Sequence, residues 1–517
     1  MTRLASIDHV ALLPAYLAAA TALLVFLVDL VLAPGSAARR SAVLATAALG
    51  VVATGVAAVA VGLGPVRRTF CVADGAGCSY VADRPGAVVA VLFCVLTLGV
   101  LAFSVPTLRA PGGPPAGEYA FLLLASLTGG VVLGYSRDLI TLIVALETLT
   151  LPLYVLVGLR RGVLASVLGA VNFFVVSVVS TAVTLMGAAL LYALTGAVHL
   201  DGLARALAGQ GQLREIPLAA AAAVLVLVGL AFKVAAVPFH AWAPGTYDGA
   251  PLPIAAYLST ASKLGGVIAL LYVVVGALKP WLDVVGPALA ALAVLTMTVG
   301  NLVALRQTRM VRLLAWSSVA QAGYILAPLG AFALASGRSA DAVATAVAAT
   351  IGYAVFYVLI ELGAFGALIG MRGAADGGPI EEYRGMAGRA PWLTAALALA
   401  LTGLAGLPPG LAGLFAKVTV VRALLETSAG WLAVVVALNA VVGLAYYVRV
   451  GAQLYLDPEP AAAADATGGA DAAAVVGPVP ATAWPVLVGV AAVTLLAVIV
   501  GFAPQLVLDA AQAATAF

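Results

Sequence analysis

The sequence predicts an all-α integral membrane protein with about fourteen transmembrane helices. Three observations predict it. Hydrophobic residues make up 64% and charged residues 9% of the 517-residue chain, where a soluble domain carries roughly 25% charged residues. The apolar runs reach about 20 residues, enough for a helix to cross a bilayer. They do not alternate as the strands of a membrane barrel would, and no stretch reads as a convincing strand.

The expected spans are 9–33, 41–63, 86–106, 117–135, 138–159, 163–194, 217–239, 251–276, 285–304, 310–333, 341–371, 393–424, 430–455 and 482–503. The first is too long for a signal-peptide core and no small-residue cleavage site follows it, so it reads as a retained helix. Short gaps with Pro, Gly and Arg separate the spans. The Ala/Gly/Pro-rich acidic stretch 457–481 reads as a flexible loop. An even number of spans puts both termini on one side of a bacterial-type plasma membrane. Short loops on the opposite side hold Arg39, Arg40, Arg109, Arg160 and Arg161 among others. That bias is modest and favours termini outside.

Net charge is +3, spread over many loops. No basic patch or arm points to nucleic acid. Cys94 lies in an apolar run and reads as packing. Cys71 and Cys78 share one polar loop, where a disulfide or two free thiols are both open. No cysteine cluster has iron–sulfur or zinc spacing, and no Gly-rich nucleotide fingerprint follows a strand. The chain is expected to hold no cofactor and no metal of its own.

The seventh and twelfth spans read as broken helices. Pro238 follows Lys233, and Pro408 with Pro409 precedes Lys417. A proline inside a helix frees the carbonyl four residues earlier, here those of Val234, Leu404 and Ala405. The strings GLAFK at 229–233 and GLFAK at 413–417 rhyme. Paired interrupted helices are the sequence pointer to midplane sites in inverted-repeat transporters.

Only four lysines occur against 21 arginines, and Lys233, Lys263 and Lys417 lie inside apolar runs. Arginine serves wherever a plain charge suffices; an amine supplies a proton that can be released. A charge at bilayer depth costs roughly 2.5–3.5 kcal/mol, so each is a functional candidate. Glu147, mid-span, is the expected partner of Lys233, either as a static pair or as one whose protonation cycles. Lys263 is flanked by Ser259, Thr260 and Ser262, hydroxyls able to relay a proton. His240 closes the seventh span in PFHAWAP and titrates near neutrality when unperturbed. Glu361 is a further buried carboxylate that Lys417 or Arg449 would balance. Asp29, near a span end, reaches the interface. Moving a proton against about 150 mV costs roughly 3.5 kcal/mol, and neither a phosphate loop nor a redox centre is present to supply it. A second ion gradient or a partner must do so.

The run FKVAAVPFHAWAPGTYDGAPLPIAAYLSTASK (232–263) resembles the signature of the subunit N family of proton-pumping NADH–quinone oxidoreductase, respiratory complex I. GNLVALRQTRMVRLLAWSSVAQAGY (300–324) and GLPPGLAGLFAK (406–417) resemble the same family. The resemblance implies an antiporter-like fold with two inverted five-helix repeats, at 117–276 and 285–455. Helices 1–3 (1–116) would precede them and helix 14 (482–517) would follow. It implies a midplane proton path through Glu147, Lys233, His240, Lys263 and Lys417, driven by quinone reduction elsewhere. NADH, FMN, iron–sulfur clusters and quinone would belong to partner subunits, and the partners would be other membrane subunits and lipid. Three positions depart from the family pattern: Asn172 stands where a lysine is usual, Gln321 where a histidine is frequent, and Glu361 where an asparagine is usual. The alternatives are a subunit of a multisubunit cation/proton antiporter and a scaffold without an ion path.

Overall fold

The structure is a computed structural model that describes residues 7–33, 36–72, 77–209, 211–457 and 481–514. The expected loop at 457–481 lies, for 458–480, outside the described residues. The chain is 81% helical. Helices α1 (Leu13–Val31) and α2 (Ala37–Leu63) form a hairpin, and α3 (Arg84–Phe103) and the short α4 (Val105–Arg109) follow. Next come α5 (Ala116–Tyr135), α6 (Leu139–Val157), α7 (Leu164–Thr195) and the short α8 (Leu200–Gly209). The first interruption separates α9 (Pro217–Lys233) from α10 (Trp242–Gly249).

The helical run Leu252–Ala277 holds α11 (Leu252–Tyr257) and α12 (Lys263–Leu271), joined by a wide π turn over Leu258–Ser262. Beyond it lie α13 (Leu282–Ala304), α14 (Met310–Gly330), α15 (Ala340–Arg372) and the single turn α16 (Met386–Arg389). The second interruption separates α17 (Pro391–Ala405) from α18 (Leu411–Glu426). The chain closes with α19 (Gly430–Tyr455), α20 (Trp484–Phe502) and α21 (Gln505–Ala513).

Among the described residues, eleven helices are long and apolar enough to cross a membrane, and Pro217–Lys233 and Pro391–Ala405 are shorter apolar helices. The α11–α12 run is buried along nearly its whole length and is the central rod. Helix α15 packs beside it, against α14, α17, α18 and α20. The outer helices α1, α2 and α7 expose apolar faces that a hydrocarbon phase would cover, Leu30, Val31, Leu49 and Leu164 among them.

One sequence expectation is corrected. Residues Arg67–Cys71 and Cys78–Ala82 pair as an antiparallel hairpin, with Cys71 opposite Cys78 and a disulfide joining them. The strands are five residues each, too short for alternation to stand out in an otherwise apolar chain. Asp29, near the end of α1, is buried and takes two hydrogen bonds from Arg39.

An ion-pair clamp ties Arg309, just before α14, to α10 and to the stretch after α15. Arg309 Nε lies 2.9 Å from Asp248 Oδ2, and Arg309 Nη2 lies 3.1 Å from Asp376 Oδ2. Asp248 belongs to α10, whereas Asp376 follows α15. Partial burial would push the Asp376 carboxyl up. The hydrogen bond from Arg309, and the charges of Arg309, Arg160 and Arg372, outweigh this and hold it below the usual carboxylate range. A depressed carboxyl stabilises the fold above its unfolded value of about 3.9 and loses that contribution only as pH falls through the lower folded value. The clamp therefore holds at neutral pH and weakens only in acid. Arg309→Gln should leave both carboxylates short of a donor and cost on the order of 1 kcal/mol. The readout is a lower unfolding temperature at neutral pH, with the gap from wild type narrowing in acid. An unchanged temperature would mean the clamp adds nothing.

Candidate functional site

The first cluster forms where α6, α7 and α9 meet. Glu147 sits mid-way along α6, and Lys233 is the last residue of α9. Lys233 Nζ lies 2.7 Å from Glu147 Oε1 and donates to Ser177 Oγ at 3.0 Å. Thr181 donates to the same carboxylate oxygen at 2.6 Å, and Tyr154 donates to Ser177 at 2.6 Å. Ser177, Ser180, Thr181 and Thr184 share one face of α7, at helical spacing. That face meets α9 closely because residue 229 is glycine; a Cβ there would stand 1.8 Å from Thr184 Oγ1. Past Lys233 the chain turns, and Trp242 Nε1 donates to the Phe232 carbonyl at 3.2 Å.

The second cluster surrounds Lys263, which is 2% exposed. Its amine donates to the Ser318 carbonyl at 2.5 Å and to the Ser318 hydroxyl. The Tyr357 hydroxyl lies 2.9 Å from both Ser318 Oγ and the Ser259 carbonyl oxygen. Gly266, one turn beyond Lys263, lies against the Lys233 backbone, where a Cβ would come within 2.8 Å of the Lys233 carbonyl carbon. The helix that carries Lys263 thus abuts the first break. His240 approaches from that break, with its ring 5.1 Å from the Trp316 ring and Nδ1 without a hydrogen-bond partner.

The third cluster is the second break. Lys417 Nζ donates to the carbonyls of Leu404 at 3.0 Å and Ala405 at 2.6 Å. These are two carbonyls the sequence marks as freed by Pro408 and Pro409, and they lie at the C-terminal end of α17, where backbone acceptors and the helix dipole favour a cation. Gly406 permits it: the residue has φ +81°, and a Cβ would stand 2.6 Å from Lys417 Cδ. Gln321 Nε2 also donates to the Leu404 carbonyl, at 3.1 Å, and to the Tyr447 hydroxyl at 3.0 Å. Tyr353 donates to Gln321 Oε1 at 2.6 Å, and the Ser317 and Tyr447 hydroxyls are 2.6 Å apart.

Because Ser317 and Ser318 are adjacent on α14, a row of polar groups runs from Lys263 through Ser318, Ser317, Tyr447 and Gln321 to Lys417. Three amines, at 7%, 2% and 8% exposure, are thus buried between the two broken helices. Hydroxyls and an amide, groups that both give and take hydrogen bonds, lie between Lys263 and Lys417. Among the described residues, no group of three or more His, Cys, Asp or Glu side chains is placed to hold a metal.

The family model described as NADH:quinone oxidoreductase/Mrp antiporter, TM, matches residues 136–443. The NADH-quinone oxidoreductase subunit N of Salinispora tropica is 62% identical over 99% of this chain and 100% of its own length. This chain belongs to the subunit N family. A chain of respiratory complex I from Thermus thermophilus with bound Aureothin is 28% identical, with a TM-score of 0.76 over 96% of this chain and 98% of that one. A chain of the Mrp complex from Dietzia sp. DQ12-45-1b reaches a TM-score of 0.78 at 22% identity, over 98% and 97%. That second likeness shows a shared fold alone.

Within this subunit N fold, the sequence-predicted residues separate into three groups. The Glu147–Lys233 pair forms as expected. Lys417 and Gln321 meet at one carbonyl, so the glutamine at the family's histidine position joins the polar row. Asn172 does not: it is exposed on α7 and makes no hydrogen bond among the described residues. The hydroxyls of Ser259, Thr260 and Ser262 do not receive the Lys263 amine, because the π turn re-aims them and Ser318 takes its place; Ser259 and Thr260 bond back to the Ala256 carbonyl. The expected balance for Glu361 is also corrected. Lys417 is committed to carbonyls, and Arg449 donates to the Leu305 and Gln307 carbonyls. Sequence reading missed Ser177, Thr181, Ser318, Tyr357 and Tyr447. The spacing of Tyr353, Tyr357 and Glu361 at four-residue intervals was a usable signal for one polar face of α15.

Proposed function

We propose that the chain is the proton-translocating subunit N of an NADH–quinone oxidoreductase. On this reading protons move along the midplane through Glu147, Lys233, His240, Lys263 and Lys417. The observation that carries it is the row of buried polar groups between Lys263 and Lys417, with the helix that carries Lys263 packed at Gly266 against the Lys233 backbone. Each amine is buried; Lys233 and Lys263 meet a carboxylate or hydroxyl, and Lys417 is held by two backbone carbonyls. Desolvation disfavours a charged amine while a facing carboxylate favours it. A change in the Glu147 field therefore changes whether Lys233 keeps its proton.

The chain would be a non-redox subunit of a translocase. NADH, FMN, iron–sulfur clusters and quinone would reside in partner subunits, and quinone reduction there would drive the charge steps here. The eleven long helices, α9 with α10, α14, and α17 with α18 give fourteen crossings. The stretches 117–276 and 285–455 would be the inverted repeats, each containing one break. A disulfide in the α2–α3 loop supports that loop facing the oxidising side. The 3.1 Å pair of Asp8 with Arg67 supports the start of α1 lying beside it. Both termini would therefore be outside.

The test is proton uptake by inverted membrane vesicles that contain the assembled complex, with NADH as donor. Redox-driven uptake that is indifferent to Na⁺ supports the reading. Uptake that needs a Na⁺ gradient and ignores NADH would make the chain an antiporter subunit instead.

A further inference from the structure

Glu361 is the least exposed ionisable side chain of the site, at 0%. Neither of its carboxyl oxygens has a hydrogen-bond partner in the structure. Buried polar groups are almost always paired, and an isolated buried charge is the costliest exception. Such a group needs a role that explains its cost, and the site described above does not use it.

Its surroundings supply one. Glu361 lies one helical turn beyond Tyr357 on the same face of α15. The Tyr357 hydroxyl shares Ser318 with the Lys263 amine. The titratable groups that act on Glu361, or that feel its charge, are Lys263 from α12, Tyr247 from α10, Tyr357 from its own helix and Tyr447 from α19. Lys263 is the only cation among them. The Tyr247 hydroxyl, like the carboxyl, is buried without a partner.

We propose that Glu361 is the proton-exchanging partner of Lys263, reached through the Ser318 and Tyr357 hydroxyls rather than by the direct contact that Glu147 and Lys233 make at the first break. The step is a proton transfer. The Lys263 ammonium passes one N–H proton to the Ser318 hydroxyl, Ser318 passes its own to Tyr357, and Tyr357, turned from Ser318 toward the carboxyl, passes its own to the Glu361 carboxylate, which gains an O–H. The ammonium and the carboxylate become a neutral amine and a neutral acid, with no net change of charge in the core. Lys263 is then free to accept the next proton from the Lys233 side, and Glu361 passes its own toward Tyr447 and Gln321. The carboxylate at a position where the family pattern has asparagine thus gives this chain an additional carrier.

The inference rests on the proton-carrying reading of Lys263, and its test is chosen to fail separately. A hydrophobic carbodiimide reacts with protonated carboxyls in apolar surroundings. The assembled wild-type complex is treated at rest and during NADH oxidation, and the peptide that contains Glu361 is read by mass spectrometry. Modification of Glu361 at a rate that changes at least about threefold between rest and turnover supports the proposal. A fixed charge-balancing carboxylate would show the same rate in both states or no modification, and either result overturns it. As a second arm, Glu361→Asn should assemble and lose about tenfold in pumping. Wild-type pumping by Glu361→Asn, alongside loss of pumping in Lys233→Met, would remove Glu361 from the path while leaving the proposed function standing. Should Glu361→Asn not assemble, the wild-type carbodiimide experiment decides alone.

Discussion

Lys233→Met should abolish most proton pumping and most coupled electron transfer while the complex still assembles. The substitution keeps the length of the side chain and removes its proton. Glu147 Oε1 is then left with the Thr181 hydroxyl alone, and Ser177 keeps only the Tyr154 hydroxyl as donor. Breaking a fully buried pair from one side costs about 3–5 kcal/mol. Glu147 is 20% exposed, so part of that cost is relieved by solvation or by protonation, and assembly survives. The expected drop in pumping is tenfold or more, equivalent to about 1.4 kcal/mol or more on the limiting barrier. Lys233→Arg sharpens the test. It preserves the positive charge and a salt bridge to Glu147, but a guanidinium does not release its proton in a protein. A carrier fails with Arg as it fails with Met. A static strut works with Arg. Vesicle acidification and NADH oxidation measured together in the two variants separate these outcomes, and wild-type pumping in Lys233→Arg would sink the carrier reading.

The parts of this molecule that the sequence made legible are those where a residue type is expensive in its setting. Lysine in an apolar run, proline inside a span and glutamate at mid-depth are each costly alone, so their presence announced Glu147 with Lys233, and Lys417 with the carbonyls freed by Pro408 and Pro409. The helical architecture was legible for the same reason, because backbone in hydrocarbon must bond to itself. What stayed hidden were inexpensive residues. Serine, threonine and tyrosine sit in membrane helices at little cost, since Ser and Thr hydroxyls can bond the preceding turn, as Thr150 does with the Leu146 carbonyl. Their composition does not reveal which of them face an amine. Ser318 was invisible because its role depends on the π turn at Leu258–Ser262, which rotates Lys263 away from its own helix's hydroxyls and toward α14. The hairpin was hidden because five-residue strands leave too short a pattern. Asn172 erred in the other direction: its position in a familiar string suggested the path, while helix packing turned it outward.

Gly413→Val should damage the second break more than loss of the lysine it serves. Residues Gly403 and Gly413 lie where α17 and α18 cross, and a Cβ on Gly413 would stand 1.7 Å from the Gly403 carbonyl oxygen and 2.5 Å from its carbonyl carbon. The overlap is with backbone, so no rotamer change relieves it. Overpacking of a core ordinarily costs about 1–3 kcal/mol; here the two halves of the helix must part. Separation moves the Lys417 amine away from the Leu404 and Ala405 carbonyls that hold it, and it strips Gln321 of the Leu404 carbonyl as well. The variant is therefore expected to lower the amount of assembled complex and its unfolding temperature, and to lose pumping in whatever does assemble. Lys417→Met should differ by assembling normally and losing pumping only, because its stem packs as before and the Leu404 carbonyl keeps the Gln321 amide. The comparison separates a break that positions an amine from one that only bends a helix. If Gly413→Val assembled fully and pumped like wild type, the close crossing of α17 and α18 would not be what places Lys417. If Lys417→Met failed to assemble, its amine would be holding the break together rather than carrying protons through it.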